Sequence, residues 1–368
     1  MTRIAARKGT IRPVAAGHTS SELLETADTL VSLENFQGLE FFDLDRQEAV
    51  VRAGTTIKEA GRLLLEVGLA MHNQGDVNVQ TLVGAMSTGT HGTGRDLKNL
   101  SAAMVGGRMV TADGTIKEFS LQDDPDFVNA AQLSLGALGI LTAVKVKLLP
   151  AYRLHRREYC ASIDACLEHL DDLINENRNF DFYWYPRCDE VKLRTNNLVE
   201  KDPGPLPYAR VVRDEVGWSY NILSRVRDLR FDEMEYLVPA EKGLECFLEI
   251  RDVIKRKHRK YVGWRTLYRT IAEDDVFLSP AYGRPTVAIS LHQNNTLPFW
   301  EYFKDMEPVF LRYGGRPHWA KKHTLRAEDL RGMYPRWDRF NSYREGLDPE
   351  GLFLSPYLSR LLIGGGQV

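Results

Sequence analysis

Two hydrophobic periodicities run through this chain. In EAVVRAGTTIKEAGRLLLEVGLAM an alternating apolar run gives way to a period near 3.6, which places Ile57, Ala60, Leu64 and Val67 on one face. The pattern predicts strand, turn and helix, with Thr56 and Glu59 at capping-box spacing and Gly68 as the stop. MVGGRMVTADGTIKEFS predicts a hairpin that turns at Asp113-Gly114 between Val110 and Ile116. SLGALGILTAVKVKLLP predicts a glycine-bounded turn feeding a strand whose apolar positions alternate with Thr142, Lys145 and Lys147. Further on, FDFYWYP reads as an aromatic strand, IAEDDVFLSPAYGR as a loop, and TVAISLHQN, Thr286 to Asn294, as another alternating strand. A helix is expected around Ala327 to Tyr334. The segment HNQGDVNVQTLVGAMSTGTHGTGRD reads as too glycine-rich for a helix.

The character of the chain changes at Pro150, where charged helical segments and aromatic strands take over. Two sheet-and-helix regions are expected, divided as residues 1–150 and 151–313, followed by a C-terminal segment, 314–368. At 368 residues each region can bury its own core. Apolar residues make up 43% and charged residues 27%, an ordinary globular balance, and the net charge of −2 gives no electrostatic case for a nucleic-acid partner. The basic run Lys255 to Lys260 reads as a solvated helix end. Cys160, Cys166, Cys188 and Cys246 show no C-x-x-C spacing, which fits a reducing, cytoplasmic setting. No run is long and apolar enough to cross a bilayer.

The candidate chemistry sits in small-residue turns. VAAGHTSS joins Gly17, where the backbone can approach a ligand closely, to hydroxyls that donate to an anion. Both G-x-G-x-x-G after a strand and the P-loop pattern are absent. AAGHTSS, STGTHGTG and LGALG instead form a dispersed set, read either as backbone amides wrapping a pyrophosphate or as three ordinary turns. His72, His91 and Asp76 lie close in sequence, but no helical metal-ligand spacing holds them, so no metal is expected; a metal-dependent hydrolase built on His72 and His91 is the weaker reading. RPHWAKKH places His318 and Lys321 where a ring donor and a cation can share a pocket wall, or else forms an amphipathic strand with snorkelling lysines.

AAGHTSS, STGTHGTG, SLGALGI, LSPAYGR, RPHWAK and DPEGLF occur together in an order that resembles the vanillyl-alcohol-oxidase superfamily of flavoproteins, and within it the aldonolactone and alditol oxidase branch. The resemblance implies an α+β, two-domain FAD-binding fold of the PCMH type, with residues 1–150 binding FAD and 151–313 forming an antiparallel-sheet substrate cap. Residues 314–368 would return to the flavin. It implies that His18 is bonded to the flavin and that Ala15, Ala16, Gly17, Thr19 and Ser20 hold the pyrophosphate. Ser87, Thr88, Gly89, His91, Gly92 and Gly94 would form a second FAD loop, and Gly136, Gly139 and Ile140 would lie near the adenine and ribose. Arg269 would face the substrate, with His318 and Lys321 at the flavin ring. The implied activity is oxidation of a hydroxyl of a polyol or sugar lactone, with O2 as acceptor giving H2O2; the alternatives are a dehydrogenase using a quinone or cytochrome, or an inactive remnant. Three departures stand out. Leu267 replaces the glutamate expected two positions before Arg269, Ala320 replaces a glycine, and the chain opens at MTRIAARKG, which resembles the last helix of an N-terminal β-α-β segment whose earlier part is not seen.

Overall fold

The computed structural model describes residues 9–226 and 230–364; the expected helix at MTRIAARKG falls almost wholly outside them. In chain order the strands are β1 (Ile11–Val14), β2 (Thr29–Ser32), β3 (Leu39–Asp43), β4 (Glu48–Arg52), β5 (Leu69–Ala70), β6 (Met104–Val110), β7 (Ile116–Ser120), β8 (Ile140–Lys147) and β9 (Leu149–Pro150). They continue with β10 (Arg153–Ser162), β11 (Asn179–Tyr185), β12 (Glu190–Leu198), β13 (Arg210–Trp218), β14 (Phe231–Pro239), β15 (Thr266–Ile271), β16 (Thr286–Asn294) and β17 (Arg316–Pro317).

Two larger sheets organise the chain. One is five-stranded, in the order β3-β4-β8-β6-β7, and the other is eight-stranded, in the order β13-β10-β12-β11-β15-β16-β14-β17. Every pairing in both is antiparallel. β1 and β2 form a small parallel pair beside the first sheet. The fold class is therefore the expected α+β two-sheet arrangement. The C-terminal segment begins as edge strand β17 against β14 and then runs back to the N-terminal segment, where Ile11 N–H donates to the Leu352 carbonyl at 2.8 Å and Ser20 N–H to Ala320 at 3.0 Å.

Local chemistry explains the elements that matter for the site. The helix Ile57–Glu66 starts where Thr56 Oγ1 accepts the Glu59 N–H at 3.2 Å, buries Ile57, Ala60 and Leu64, and ends at Gly68, whose φ of 77° only glycine adopts cheaply. β6 and β7 pair with Val110 opposite Ile116, around the expected Asp-Gly turn. β16 has the expected limits, but all of its residues except Asn294 are buried, because helices cover one face and the site the other; the alternation foresees only half of that. Inside the glycine-rich segment the chain forms a short helix, Leu82–Ser87, which the composition argument excluded. Thr81 caps it by accepting the Gly84 N–H, and burial of Leu82, Val83, Ala85 and Met86 overrides the low propensity of its glycine. The basic run does end a helix, with Lys255 paired to Asp189.

Among the described residues no helix is long and apolar enough to cross a membrane, and all four cysteines are free.

Gly139 shows how tightly the turn before β8 is set. Its φ is 149°, and a Cβ there would lie 2.8 Å from the Val110 carbonyl oxygen. Gly139→Ala is expected to lower the unfolding free energy by about 2 kcal/mol in urea titration, the scale of one strained residue; an unchanged midpoint would contradict this reading.

Candidate functional site

Two adjoining cavities carry the site. The first lies between the turn after β1, the helix Leu82–Ser87 and the turn before β8. Its lining includes Ala15 to Thr19, Ser87, Thr88, Ser134, Gly136 and Gly139. The second opens against the eight-stranded sheet. It is lined by Gly17 to Ser20, Asp76, His91, Glu233, Glu235, Leu267, Arg269, His318 and Lys321, among others. Gly17, His18, Thr19 and Gln80 line both, so the cavities meet at the turn.

That turn is built to receive an anion. Gly17 sits at φ 63°, and among the described residues none of the backbone N–H groups of Ala15, Ala16, Gly17 and His18 donates an internal hydrogen bond. Successive free amides of this kind form a nest for negative charge. Thr19 and Ser21 anchor the turn instead, through Thr19 Oγ1 to the Ala320 carbonyl at 3.3 Å and Ser21 Oγ to the Trp319 carbonyl at 3.2 Å. Across the first cavity Ser134 is 1% exposed, yet its Oγ has no partner among the described residues. A buried hydroxyl left orphaned beside a cavity is what a site that takes a polar ligand shows. These residues fit a dinucleotide cofactor.

The glycines of STGTHGTG divide by role. Gly89, Gly92 and Gly94 lie outside both cavities. Gly89 and Gly94 adopt φ 76° and 139°, and a Cβ at Gly92 would lie 2.4 Å from the Gln74 carbonyl oxygen. They shape the loop so that Thr90 and His91 reach the second cavity. Ile140 also lies outside, buried as the first residue of β8, while Leu141 lines the first cavity in its place.

The wall of the second cavity is a row structure of the sheet. Leu267 pairs with Ser290, and Ser290 pairs on its other side with Glu235; His292 pairs with Glu233 in the next row. Where Leu267 leaves no carboxylate on β15, Glu235 supplies one on the same face, two strands away. Sequence reasoning missed Glu233 and Glu235, although their i, i+2 spacing in FDEMEY marks two carboxylates on one strand face.

Arg269, Lys321, Glu233 and Glu235 on this wall each have a partner. Arg269 binds Asp76 at 2.5 Å and Asp181, which lies opposite it on β11, at 3.4 Å. Burial would lower the guanidinium's pKa, but the two aspartates outweigh it and raise the value. Arg269 lines the second cavity as a guanidinium balanced by two carboxylates. Lys321 Nζ donates to Glu233. Burial pushes the Glu233 carboxyl up, yet Lys321 and His292 hold it down at about 2. Burial likewise opposes ionisation of Glu235, and the neighbouring His91 ring keeps it well below the carboxylate range.

His91 Nε2 lies 2.9 Å from Glu235 Oε1 and its Nδ1 2.9 Å from the Gly92 carbonyl oxygen. His318 Nδ1 accepts the Ala320 N–H at 3.1 Å, so its ring proton sits on Nε2, and burial depresses its pKa to about 4. Metal-binding atoms of His91, Glu235 and His318 come within 4.8 Å of one another. Within the trio His91 is hydrogen-bonded to Glu235, while the His318 ring lies beside the His91 ring, 5.8 Å between centroids, and accepts the Ala320 N–H instead.

The three residues weighed for a metal go separate ways. His91 faces Glu235, and Asp76 binds Arg269 and Arg194. His72 lines a different pocket, its pKa pushed down to about 4 by burial and then by Arg178. His18 is exposed at the junction, and its pKa is lowered by partial burial and by the charge of Lys321, opposed by Glu233.

A two-sheet fold with an amide nest leading to a charged wall fits an enzyme that binds a dinucleotide. The chain belongs to the family described as D-arabinono-1,4-lactone oxidase, which it matches over residues 144–216 and 207–361, and it matches the FAD-binding domain family over residues 1–120. It is 34% identical to the L-gulono-1,4-lactone dehydrogenase of Mycobacterium tuberculosis, covering 97% of this chain and 92% of that one. It is 25% identical to the L-gulonolactone oxidase of Mus musculus, over 95% and 89% of the two chains. With the alditol oxidase of a Streptomyces species it shares 27% identity, over 95% and 90%. The structure superposes on cholesterol oxidase from B. sterolicum with a TM-score of 0.82 at 16% identity, covering 98% of this chain and 91% of that one, a likeness of fold.

The charge pairing makes a test. Lys321→Met leaves Glu233 buried beside one remaining partner, His292, and is expected to destabilise the protein by about 3 kcal/mol, while Lys321→Met with Glu233→Gln restores most of the loss. Because the Glu233 pKa is depressed, its contribution is full above pH about 4.5 and fades as pH falls toward about 2. Equal denaturant midpoints for the single and double variants would contradict the pairing.

Proposed function

We propose that this protein oxidises a hydroxyl group of an aldonolactone or a related polyol, with FAD lying across the two cavities. The observation that carries the reading is their junction: the amide nest and the charged wall meet at His18, so one ligand can present phosphates to the first and a reactive ring to the second. Bound there, FAD supplies the hydride acceptor. Ala15 to Ser20 would hold its diphosphate, with Ser134 and Gly136 across the cavity and Ser87 and Thr88 beside them. The lowered pKa of His18 keeps a ring nitrogen unprotonated near neutral pH, as a histidyl bond to the flavin requires.

The wall then handles the substrate hydroxyl. His318, with its proton on Nε2, would orient the substrate oxygen, the ionised Glu235 carboxylate on the same wall would take the hydroxyl proton, and Lys321 and Arg269, each balanced by its carboxylate partner, would hold that oxygen in place. The several fixed polar groups on the wall suit a substrate rich in hydroxyls. O2 is the acceptor in this reading. The relative of Mycobacterium tuberculosis, named a dehydrogenase, favours a second one in which a quinone or cytochrome takes the electrons. Stopped-flow reoxidation in air separates the two.

Two measurements test the proposal. The purified protein is expected to be yellow and to bleach anaerobically with an aldonolactone or with xylitol; protein that stays colourless after addition of FAD would contradict it. After acid precipitation the flavin is expected in the pellet, and His18→Ala is expected to release it. Flavin free in the supernatant of the unaltered protein would show that the bond is absent.

A further inference from the structure

The structure assigns to Arg12 the electrostatic attraction that draws the diphosphate of a nucleotide into the first cavity, an inference that rests on the FAD reading above. Arg12 is 2% exposed and lines that cavity. Among the described lining residues it is the one lysine or arginine, and none of them is an aspartate or glutamate.

Among the described residues its guanidinium is held by backbone carbonyls alone. Nε donates to Leu23 at 3.0 Å, Nη1 to Gly136 at 3.1 Å and to Phe353 at 2.9 Å, and Nη2 to Leu135 at 2.6 Å. Carbonyl dipoles take four of its five N–H donors but leave a whole positive charge without a counter-ion among the described residues. Burial accordingly pushes the Arg12 pKa down to about 10, the mark of a charge that an anion would relieve. Two further observations point to the same ligand chemistry. The free amides of Ala15 to His18 line this cavity, and so does the orphaned Ser134 hydroxyl.

The carbonyl cage also means that Arg12 is no mobile finger. It is fixed behind the turn, bonded to the carbonyls of the Leu135-Gly136 turn that faces it, so its charge acts as a preorganised field. Binding of a diphosphate is expected to raise the Arg12 pKa in return, because linkage is reciprocal.

The test uses the full chain carrying His18→Ala, freed of flavin, with ADP and adenosine titrated by calorimetry. ADP is expected to bind more tightly than adenosine by about tenfold or more. Adding Arg12→Met should cut that preference about fivefold or more while adenosine affinity stays within about threefold. Arg12→Lys, which keeps the charge but not the four-carbonyl fork, should retain the preference with a lower melting temperature, and it keeps the test decisive if the methionine variant does not fold. A preference for ADP that is undiminished in Arg12→Met, or is lost in Arg12→Lys, would overturn the assignment and leave the FAD reading intact. Failure of both ADP and adenosine to bind the His18→Ala chain would overturn the two together.

Discussion

The arginine at position 12 joins parts of the chain that are far apart in sequence. Its side chain donates to carbonyl oxygens of the short helical turn Glu22–Leu24, of the turn before β8 and of the C-terminal segment at Phe353. Two of these, around Leu23 and around Leu135, bound the first cavity, and the C-terminal segment backs them. Four hydrogen bonds from one fully buried cation are directional and expensive to leave unmade, so the geometry of the turns is set by the core behind them rather than by the turns themselves. Glycine at 17, 136 and 139 permits the backbone path, and the arginine selects it.

The second cavity is organised by the opposite device, charges that are paired within the wall. Arg269 with Asp76 and Asp181, Lys321 with Glu233, and Glu235 with His91 place ionised groups at low exposure without leaving one bare. Such pairs contribute little net stability, because desolvation offsets their attraction, but they fix side-chain positions closely. The site thus combines an uncompensated cation at the end suited to phosphates with a balanced, rigid wall at the end suited to a neutral polyhydroxylated molecule. The departure at Leu267 falls into place here. The row Leu267, Ser290, Glu235 moves the carboxylate across the sheet while keeping it on the same face.

How much of this was legible in the sequence depends on the range of the interaction. Helix Ile57–Glu66 and the β6-β7 hairpin rest on local signals, a cap and an Asp-Gly turn, and both form as read. The turns carrying His18 and Gly136 were legible as backbone shapes, and the structure puts them on facing sides of one cavity. The helix Leu82–Ser87 was not, because tertiary burial outweighs its glycine. Nor was the pairing of Arg269, since β11 and β15 become neighbours only through a sheet order that skips along the chain. Arg12 carried no motif at all. A single arginine before a proline gives no sign of the carbonyls that will surround it.

The central claim is that one continuous space, bounded by the turn at His18, receives a dinucleotide with its phosphates toward Arg12 and its ring toward the charged wall. A crystal structure of the protein with its cofactor tests this most directly. The account predicts flavin density with the diphosphate against Ala15 to His18 and the ring between His18 and the side chains of Lys321 and Arg269. Density for the flavin in any other cleft, or phosphates on the far side of the turn from Arg12, would contradict it.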